Sequence, residues 1–314
     1  MSQNSDIYCD YPNIITDLPV GYQIVVDSGA ALAEVVEIFE DHIAVKISAD
    51  VEIGSRRHLN LPGMKIKLPS LIEKDKTDLL FGIKAGINYV AASFIRTGEN
   101  VKEIREFLDA NGGSHIKIIS KIENQEGVEN LEEIAQFSDG IMIARGDLGI
   151  ELPIWELPVY QKRILEMSHL YGKPVVMATE LMKSMVKSPF PTRAEVSDVF
   201  NSVMARVDAV MLSDETAVGL YPVRTVEIMA KTVQEGEKEI YDEHDDFDLL
   251  TDDETEQNKK GIARHASLMA DEFAAKAIIV FSYSGRLASY LSAFKPNQPV
   301  FSFTENANTH YSLG

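Results

Sequence analysis

Lys121 and Glu123 stand two residues apart at the end of an apolar run. Side chains alternate along an extended segment, so the two share one face. Asp147 follows the next apolar run, inside Arg145-Gly146-Asp147-Leu148-Gly149. Two carboxylates brought together without compensation repel, and one is driven to hold a proton. A hard cation such as Mg²⁺ or Mn²⁺ resolves the conflict, since it takes a few carboxylates and leaves positions for substrate oxygens. A lysine ammonium beside that ion gives the pair of positive charges that a transferring phosphoryl group or an enolate needs. Gly146 and Gly149 have no Cβ and let backbone amides approach an anion at a helix start. Thr179 adds a hydroxyl after a further apolar run. Each piece alone has a plainer explanation: Lys-x-Glu as a solvated pair, Gly-Asp-x-Gly as a turn. Their order along the chain is what gives them weight.

The elements that would hold these groups can be read from the same stretch. Five short, nearly continuous apolar runs recur at 87–92, 116–120, 140–144, 174–178 and 208–212, as expected of parallel strands buried on both faces. Each ends in polar or ionisable residues. Ser93 to Arg96 follow the first, Lys121 to Asn124 the second, Arg145 to Gly149 the third, Thr179-Glu180 the fourth and Ser213 to Thr216 the fifth. The carboxyl ends of strands are where barrels and open α/β sheets place their catalytic groups. Amphipathic helices are expected between the runs. Thr192 and Glu195 form a capping box ahead of Val196, Val199, Phe200 and Val203, which fall on one helical face. Pro222 opens a helix carrying Val226, Met229 and Val233, and Gly172 with Pro174 closes one running from about 157 to 171. Met182 and Met185 read as packing residues. Repeated βα units of this length mean an open α/β sheet or part of a (β/α)8 barrel.

Outside this region the texture differs. Residues 1–65 hold short β-rich runs at 23–27, 33–39, 43–47 and 58–61, separated by Gly, Asp and Ser turns, the pattern of a small antiparallel module. Residues 235–256 contain twelve acids and one lysine. That run is read as a solvated linker, assigned to 241–260, rather than as an interaction tail. Residues 261–314 carry a helix, two strand candidates and a Ser282-Tyr283-Ser284-Gly285-Arg286 turn, which reads equally as a phosphate cradle or a plain turn. Two strands are too few for an independent core. The chain of 314 residues has a formal net charge of −19 and one cysteine, Cys9. The charge argues against nucleic acid and anionic membranes as partners, and the lone cysteine excludes a disulfide framework. No apolar run approaches the ~18 residues of a membrane span, and the polar start has no secretory pattern. The expectation is a cytoplasmic protein.

Several of these segments bear a family resemblance. Lys-Ile-Glu-Asn-Gln-Glu-Gly (121–127), Asp-Gly-Ile-Met-Ile-Ala-Arg-Gly-Asp-Leu-Gly (139–149), Pro-Thr-Arg-Ala-Glu (191–195) and Val-Met-Leu-Ser-Asp-Glu-Thr-Ala (210–217) are similar to pyruvate kinases, as is Asn60-Leu61-Pro62-Gly63 followed by Leu68-Pro69. The similarity spans residues 10 to 310. It implies phosphoryl transfer from phosphoenolpyruvate to ADP, giving pyruvate and ATP in glycolysis. It also implies an α/β fold: a partial (β/α)8 TIM barrel of five βα units over 66–240, a small lid-like β domain over 1–65 and a truncated α/β carboxyl-terminal domain over 261–314. By matching motifs, Lys121 resembles the lysine that stabilises the transferring phosphoryl group. Glu123 and Asp147 resemble the divalent-metal ligands. Arg145, Gly146, Asp147 and the Thr179 hydroxyl resemble the substrate-binding pocket, with Lys121 and Thr179 as catalytic residues.

The chain also departs from the family. Segments preceding the inserted β domain, which carry phosphate contacts and the ligands of the K⁺ cofactor, have no counterpart in it. Glu180 stands where Gln is usual, Asp214 where Gly is usual, and Val218 where Lys is usual; Asp27-Ser28-Gly29 replaces an Asp-Asp-Gly turn. Five parallel strands cannot close a barrel, and an open sheet leaves edge N–H and C=O groups unpaired. A homo-oligomer or a complementing polypeptide is therefore expected, and the alternative to an enzyme is a non-catalytic remnant or assembly subunit.

Overall fold

The computed structural model describes residues 7–27, 29–48, 50–240, 249 and 254–313. Its elements run α1 (Ile14–Asp17), β1 (Gln23–Val26), β2 (Ala31–Ile38), β3 (Ile43–Ile47), β4 (Leu59–Asn60), α2 (Glu73–Ala85), β5 (Tyr89–Ala92), α3 (Gly98–Ala110), β6 (Lys117–Ile122), α4 (Gln125–Glu129), α5 (Leu131–Phe137), β7 (Gly140–Ala144) and α6 (Arg145–Glu151). They continue with α7 (Leu157–Leu170), β8 (Val175–Ala178), a 3₁₀ turn (Lys183–Val186), α8 (Arg193–Met204), β9 (Ala209–Met211), α9 (Asp214–Ala217) and α10 (Pro222–Glu239). Last come α11 (Glu254–Glu272), β10 (Ile278–Phe281), α12 (Arg286–Ala293), β11 (Val300–Phe303) and α13 (Ala307–Leu313).

Strands β1 to β4 form an antiparallel sheet in the order β3-β2-β1-β4. In β2 the burial alternates, with Ala31, Ala33 and Val35 inside and Leu32, Glu34 and Val36 outside. One face therefore packs, over Leu18, Ile24 and Leu61, and the other meets solvent.

Strands β5 to β9 form a parallel sheet in sequential order. Every residue of β7 is buried, as the apolar run predicts. Strand β6 instead alternates: Ile118, Ser120 and Ile122 are buried, whereas Lys117, Ile119 and Lys121 are half-buried on the other face. That alternation puts the Lys121 side chain on the less buried face, and its place next to last in β6 puts it at the carboxyl end of the sheet. The helices cover one face through Val101, Ile104, Leu108, Ile134, Ile164 and Val199. Met182 and Met185 are fully buried in the same cluster, as expected. Thr192 and Glu195 form the capping box of α8.

Among the described residues β5 pairs only with β6 and β9 only with β8. Near the β9 edge, Leu220, Val223 and Val226 leave an apolar row exposed at the start of α10.

The third sheet has two parallel strands, β10 and β11. Helices α11 and α12 pack on it over Ala263, Val280, Ala288 and Leu291. The ring-stacked pair Phe281 and Phe303 stays exposed. The part from α11 to α13 touches the parallel-sheet region through the Lys295–Asp208 ion pair and a hydrogen bond from Tyr89 Oη to the Ser312 carbonyl at 2.5 Å. Helix α11 begins at Glu254, earlier than the acidic run suggests, because Glu256 finds Lys259, Arg286 and Tyr290 as partners. The rest of the expected linker, 241–248 and 250–253, lies outside the described residues, as does Ser28 of the turn at 27–29.

Candidate functional site

The carboxyl ends of β5 and β6 place Lys121 and Glu123 together. Lys121 Nζ lies 2.7 Å from Glu123 Oε1 and donates to Ser93 Oγ at 3.0 Å. The other carboxylate oxygen accepts the Phe94 backbone N–H at 2.5 Å. Glu123 is 1% exposed, so the pair is fixed rather than solvated. Phe94 holds a left-handed backbone, φ 53°, which costs a non-glycine residue of order 1–3 kcal/mol. The charge-assisted bond to Glu123 offsets that cost.

Gly127 is what lets this loop close. Its amide donates to Asn124 Oδ1 at 2.8 Å, and an added Cβ would sit 2.7 Å from the Ile95 carbonyl oxygen. Only glycine allows α4 to dock beneath the β5 loop.

The ends of β7 and β8 form a second cluster. Thr179 and Glu180 both adopt left-handed backbones, φ 69° and 56°. Thr179 is held from both sides. Its Oγ1 accepts the Gly146 N–H at 2.7 Å, and its carbonyl accepts Arg145 Nη2 at 2.8 Å and Nε at 3.3 Å. Arg145 is buried and also donates Nη1 to both oxygens of Asp198 on α8, at 2.8 and 2.6 Å. Its guanidinium is thus already engaged in holding the loop. The Gly146 amide, expected to face an anion, is likewise given to Thr179. Because Thr179 Oγ1 accepts that bond, its own proton stays available to a ligand.

Asp147 lies with Gly146 and Thr179 on a cleft of about 210 Å³ that is also lined by Lys183, Asp214 and Glu215. Glu215 is buried and accepts the backbone N–H of Met182 at 3.2 Å and of Ser213 at 2.8 Å, tying the β8 and β9 loops together. Gly219 is required at the end of that loop, since a Cβ would fall 2.3 Å from the Glu215 carbonyl oxygen. On the β7 side, Glu151 closes α6 against the antiparallel module and accepts Asn60 Nδ2 at 3.3 Å. Burial pushes its carboxyl above the ordinary range, and Asp147 adds to the effect; hydrogen bonds from Asn60 and the Gly63 amide only partly oppose it. Tyr22 is pushed up to about 12 by burial and by the charge of Glu151.

Glu123 and Asp147 follow adjacent strands, β6 and β7, which pair through Ile122 and Ile143. Both are hard oxygen donors, the set that Mg²⁺ and Mn²⁺ prefer. Glu123 Oε1 meets Lys121 and Oε2 meets the Phe94 amide, and each oxygen keeps lone-pair capacity, so the residues fit such an ion. Among the described residues no group of three or more His, Cys, Asp or Glu forms a metal-holding cluster. Sequence reasoning missed Asp198, Lys183 and Glu151, whose partners lie 31 to 91 residues away. No local spacing marks them. At Ser282 to Arg286, Gly285 takes a left-handed backbone at the start of α12, and Arg286 donates to Glu256 at 2.7 Å. This is the arrangement of a structural turn.

Comparison with known proteins agrees with this architecture. The family model "Pyruvate kinase, barrel domain" matches residues 1–226, and "Pyruvate kinase, alpha/beta domain" matches residues 260–314. Pyruvate kinase 1 of Candida glabrata is 44% identical over 306 residues, covering 96% of this chain and 61% of that protein. The pyruvate kinase of Clostridium acetobutylicum is 41% identical, covering 94% and 62%. The crystal structure of a pyruvate kinase from Cryptosporidium parvum superposes with a TM-score of 0.87 at 36% identity, covering 96% of this chain and 64% of that one. An α/β fold with this strand order, these strand-end motifs and these matches places the chain in the pyruvate kinase family. It spans about three-fifths of the length of the curated relatives it matches. No helix among the described residues is long and apolar enough to cross a membrane.

Proposed function

We propose that this chain carries the phosphoryl-transfer centre of a pyruvate kinase, acting on phosphoenolpyruvate and ADP. The observation that carries the reading is the buried Lys121–Glu123 pair at the end of β6, with Asp147 at the end of the adjacent strand. In the reaction the bond from the enol oxygen to phosphorus breaks while an ADP oxygen bonds to the same phosphorus. The enolate then takes a proton to become pyruvate. The transition state is loose and spreads charge over the phosphoryl oxygens, so positioning and fixed positive charge supply most of the catalysis.

In this reading Lys121 is held in place by Glu123 and Ser93, and its charge faces the transferring group. Thr179 offers its hydroxyl proton to a substrate oxygen. The Arg145–Asp198 clamp keeps Thr179 in its left-handed conformation. Glu123 and Asp147 would hold Mg²⁺ or Mn²⁺, which when bound neutralises phosphoryl oxygens. Arg145 and Gly146 serve the substrate pocket by fixing Thr179. The K⁺ requirement of the family has no ligand assigned among these residues.

We further take residues 1–65 as a lid over the barrel segment 66–240, with 261–314 a separate α/β part. Because β5 and β9 each pair on one side among the described residues, we place further βα units, from one polypeptide or another, against these edges. A coupled assay with phosphoenolpyruvate, ADP and Mg²⁺ tests the reading. Turnover in the wild-type chain that Lys121→Met lowers by roughly 10²–10³-fold is expected. Turnover equal to that of Lys121→Met would overturn it.

A further inference from the structure

The cleft beside Thr179 has an unusual charge balance. Asp147, Glu180, Asp214 and Glu215 bring four carboxylates to its lining, against one cation, Lys183. Glu215 is spoken for by two backbone amides. Lys183, at the start of the 3₁₀ turn, reaches across to Asp214, the first residue of α9, at 2.6 Å. Both side chains are 54% exposed. A pair so open to water contributes little to stability and is readily exchanged for another partner. An anion entering this cleft is repelled by every ionised group on its wall except Lys183.

We propose that Lys183 is a specificity-determining residue of the site described above: on binding it leaves Asp214 for an anionic oxygen of the phosphorylated substrate, so that Asp214 acts as a built-in competitor. The inference rests on the phosphoenolpyruvate–ADP reading of the site. The surroundings support it in a second way. The hydrogen bond that Lys183 donates to Asp214, together with the charges of Asp214, Glu180 and Glu215, holds the ammonium above its ordinary range. With Asp214 withdrawn, two carboxylates still keep the group charged. The exchange therefore moves one oxygen for another at a permanent cation and needs no proton transfer.

The competition has a signature that a structural ion pair lacks. Removing either partner of a structural pair weakens the protein in the same direction. Here the two substitutions act in opposite directions on affinity. The test uses the full chain in Mg²⁺, with calorimetric titration of phosphoenolpyruvate and of ADP as separate arms, and with steady-state kinetics. Lys183→Met is expected to raise the Kd and KM of one of the two ligands about tenfold, the worth of one charge-assisted hydrogen bond, with kcat nearly unchanged. Asp214→Asn is expected to tighten the same ligand roughly threefold, and by clearly less in a Lys183→Met background, where only the direct repulsion by Asp214 is relieved; equal tightening in both backgrounds overturns the exchange. The arm that responds identifies which substrate Lys183 meets. Weaker or unchanged binding in Asp214→Asn overturns the exchange, as does unchanged binding of both ligands in Lys183→Met. Lys121→Met separates the two levels. If it leaves turnover intact, or if the wild-type chain binds neither ligand, the parent reading falls and this inference with it. If turnover depends on Lys121 while both Lys183 arms stay flat, this inference falls alone.

Discussion

Two lysine–carboxylate pairs beside the carboxyl ends of the parallel strands have almost the same contact distance. Lys121–Glu123 measures 2.7 Å and Lys183–Asp214 measures 2.6 Å. Their surroundings separate them. Glu123 is 1% exposed and takes a second bond from the Phe94 amide, whereas Asp214 stands 54% in water. In the first pair the ammonium cannot leave without stranding the buried Glu123 carboxylate, so it is a fixture. In the open pair water replaces either partner at little cost, so the ammonium is free to change partners. Burial, rather than distance, decides which lysine can serve as permanent machinery and which can respond to a ligand.

The contrast can be broken most directly at the buried end. Lys121→Met should lower turnover by roughly 10²–10³-fold, the cost of removing a preorganised group that stabilises transition-state charge. It should also lower stability by about 3 kcal/mol in urea unfolding, because it leaves Glu123 buried without its cation. A loss of under 1 kcal/mol would erase the distinction between the two pairs. Gly127→Ala should cost about 1–3 kcal/mol, since its Cβ would press on the Ile95 carbonyl and displace the loop that seats Glu123. Circular dichroism melts would read this as a lower Tm.

At the open end, Lys183→Met should change stability by only ~0–1 kcal/mol in the same urea series. The smallest effect concerns Glu151. Its folded-state carboxyl titrates above the ordinary range, so the stability it contributes is full below its unfolded pKa of about 4.3 and declines as pH rises through the folded value. Glu151→Gln should therefore flatten the Tm-versus-pH profile over that window and gain on the wild type toward neutral pH. A parallel offset at every pH would contradict this.

How much of this could be read beforehand depended on sequence separation. Lys121 and Glu123 were legible because strand alternation is a local rule, and the Thr192–Glu195 box because capping spans three residues. The antiparallel character of β1 to β4 and the parallel run of β5 to β9 follow from apolar pattern and turn residues, whereas the strand order β3-β2-β1-β4 has no local signal. The resemblance assigns Arg145 to the substrate pocket, while its clamp to Asp198, 53 residues on, has no signal nearby in the sequence. The Gly146 amide was read as facing an anion for the same reason, since its acceptor, Thr179, arrives from the next strand. The acidic stretch was read as solvated throughout, yet from Glu254 onward it is helical. Burial alone would raise the carboxyl of Glu256, but bonds from Lys259, Tyr290 and Arg286 hold it near 2. Charge density in a sequence does not reveal whether counter-charges will fold onto it.

Helix α6 has only seven residues, yet four of them hold contacts to different parts of the molecule. Arg145 is bolted to α8, Gly146 to the loop after β8, Asp147 to the cleft and Glu151 to β4 of the antiparallel module. From Asp147 to Glu151 the helix rises only about 6 Å. A tug on the module through Asn60 reaches the cleft along one stiff rod, with no soft joint between them to absorb it.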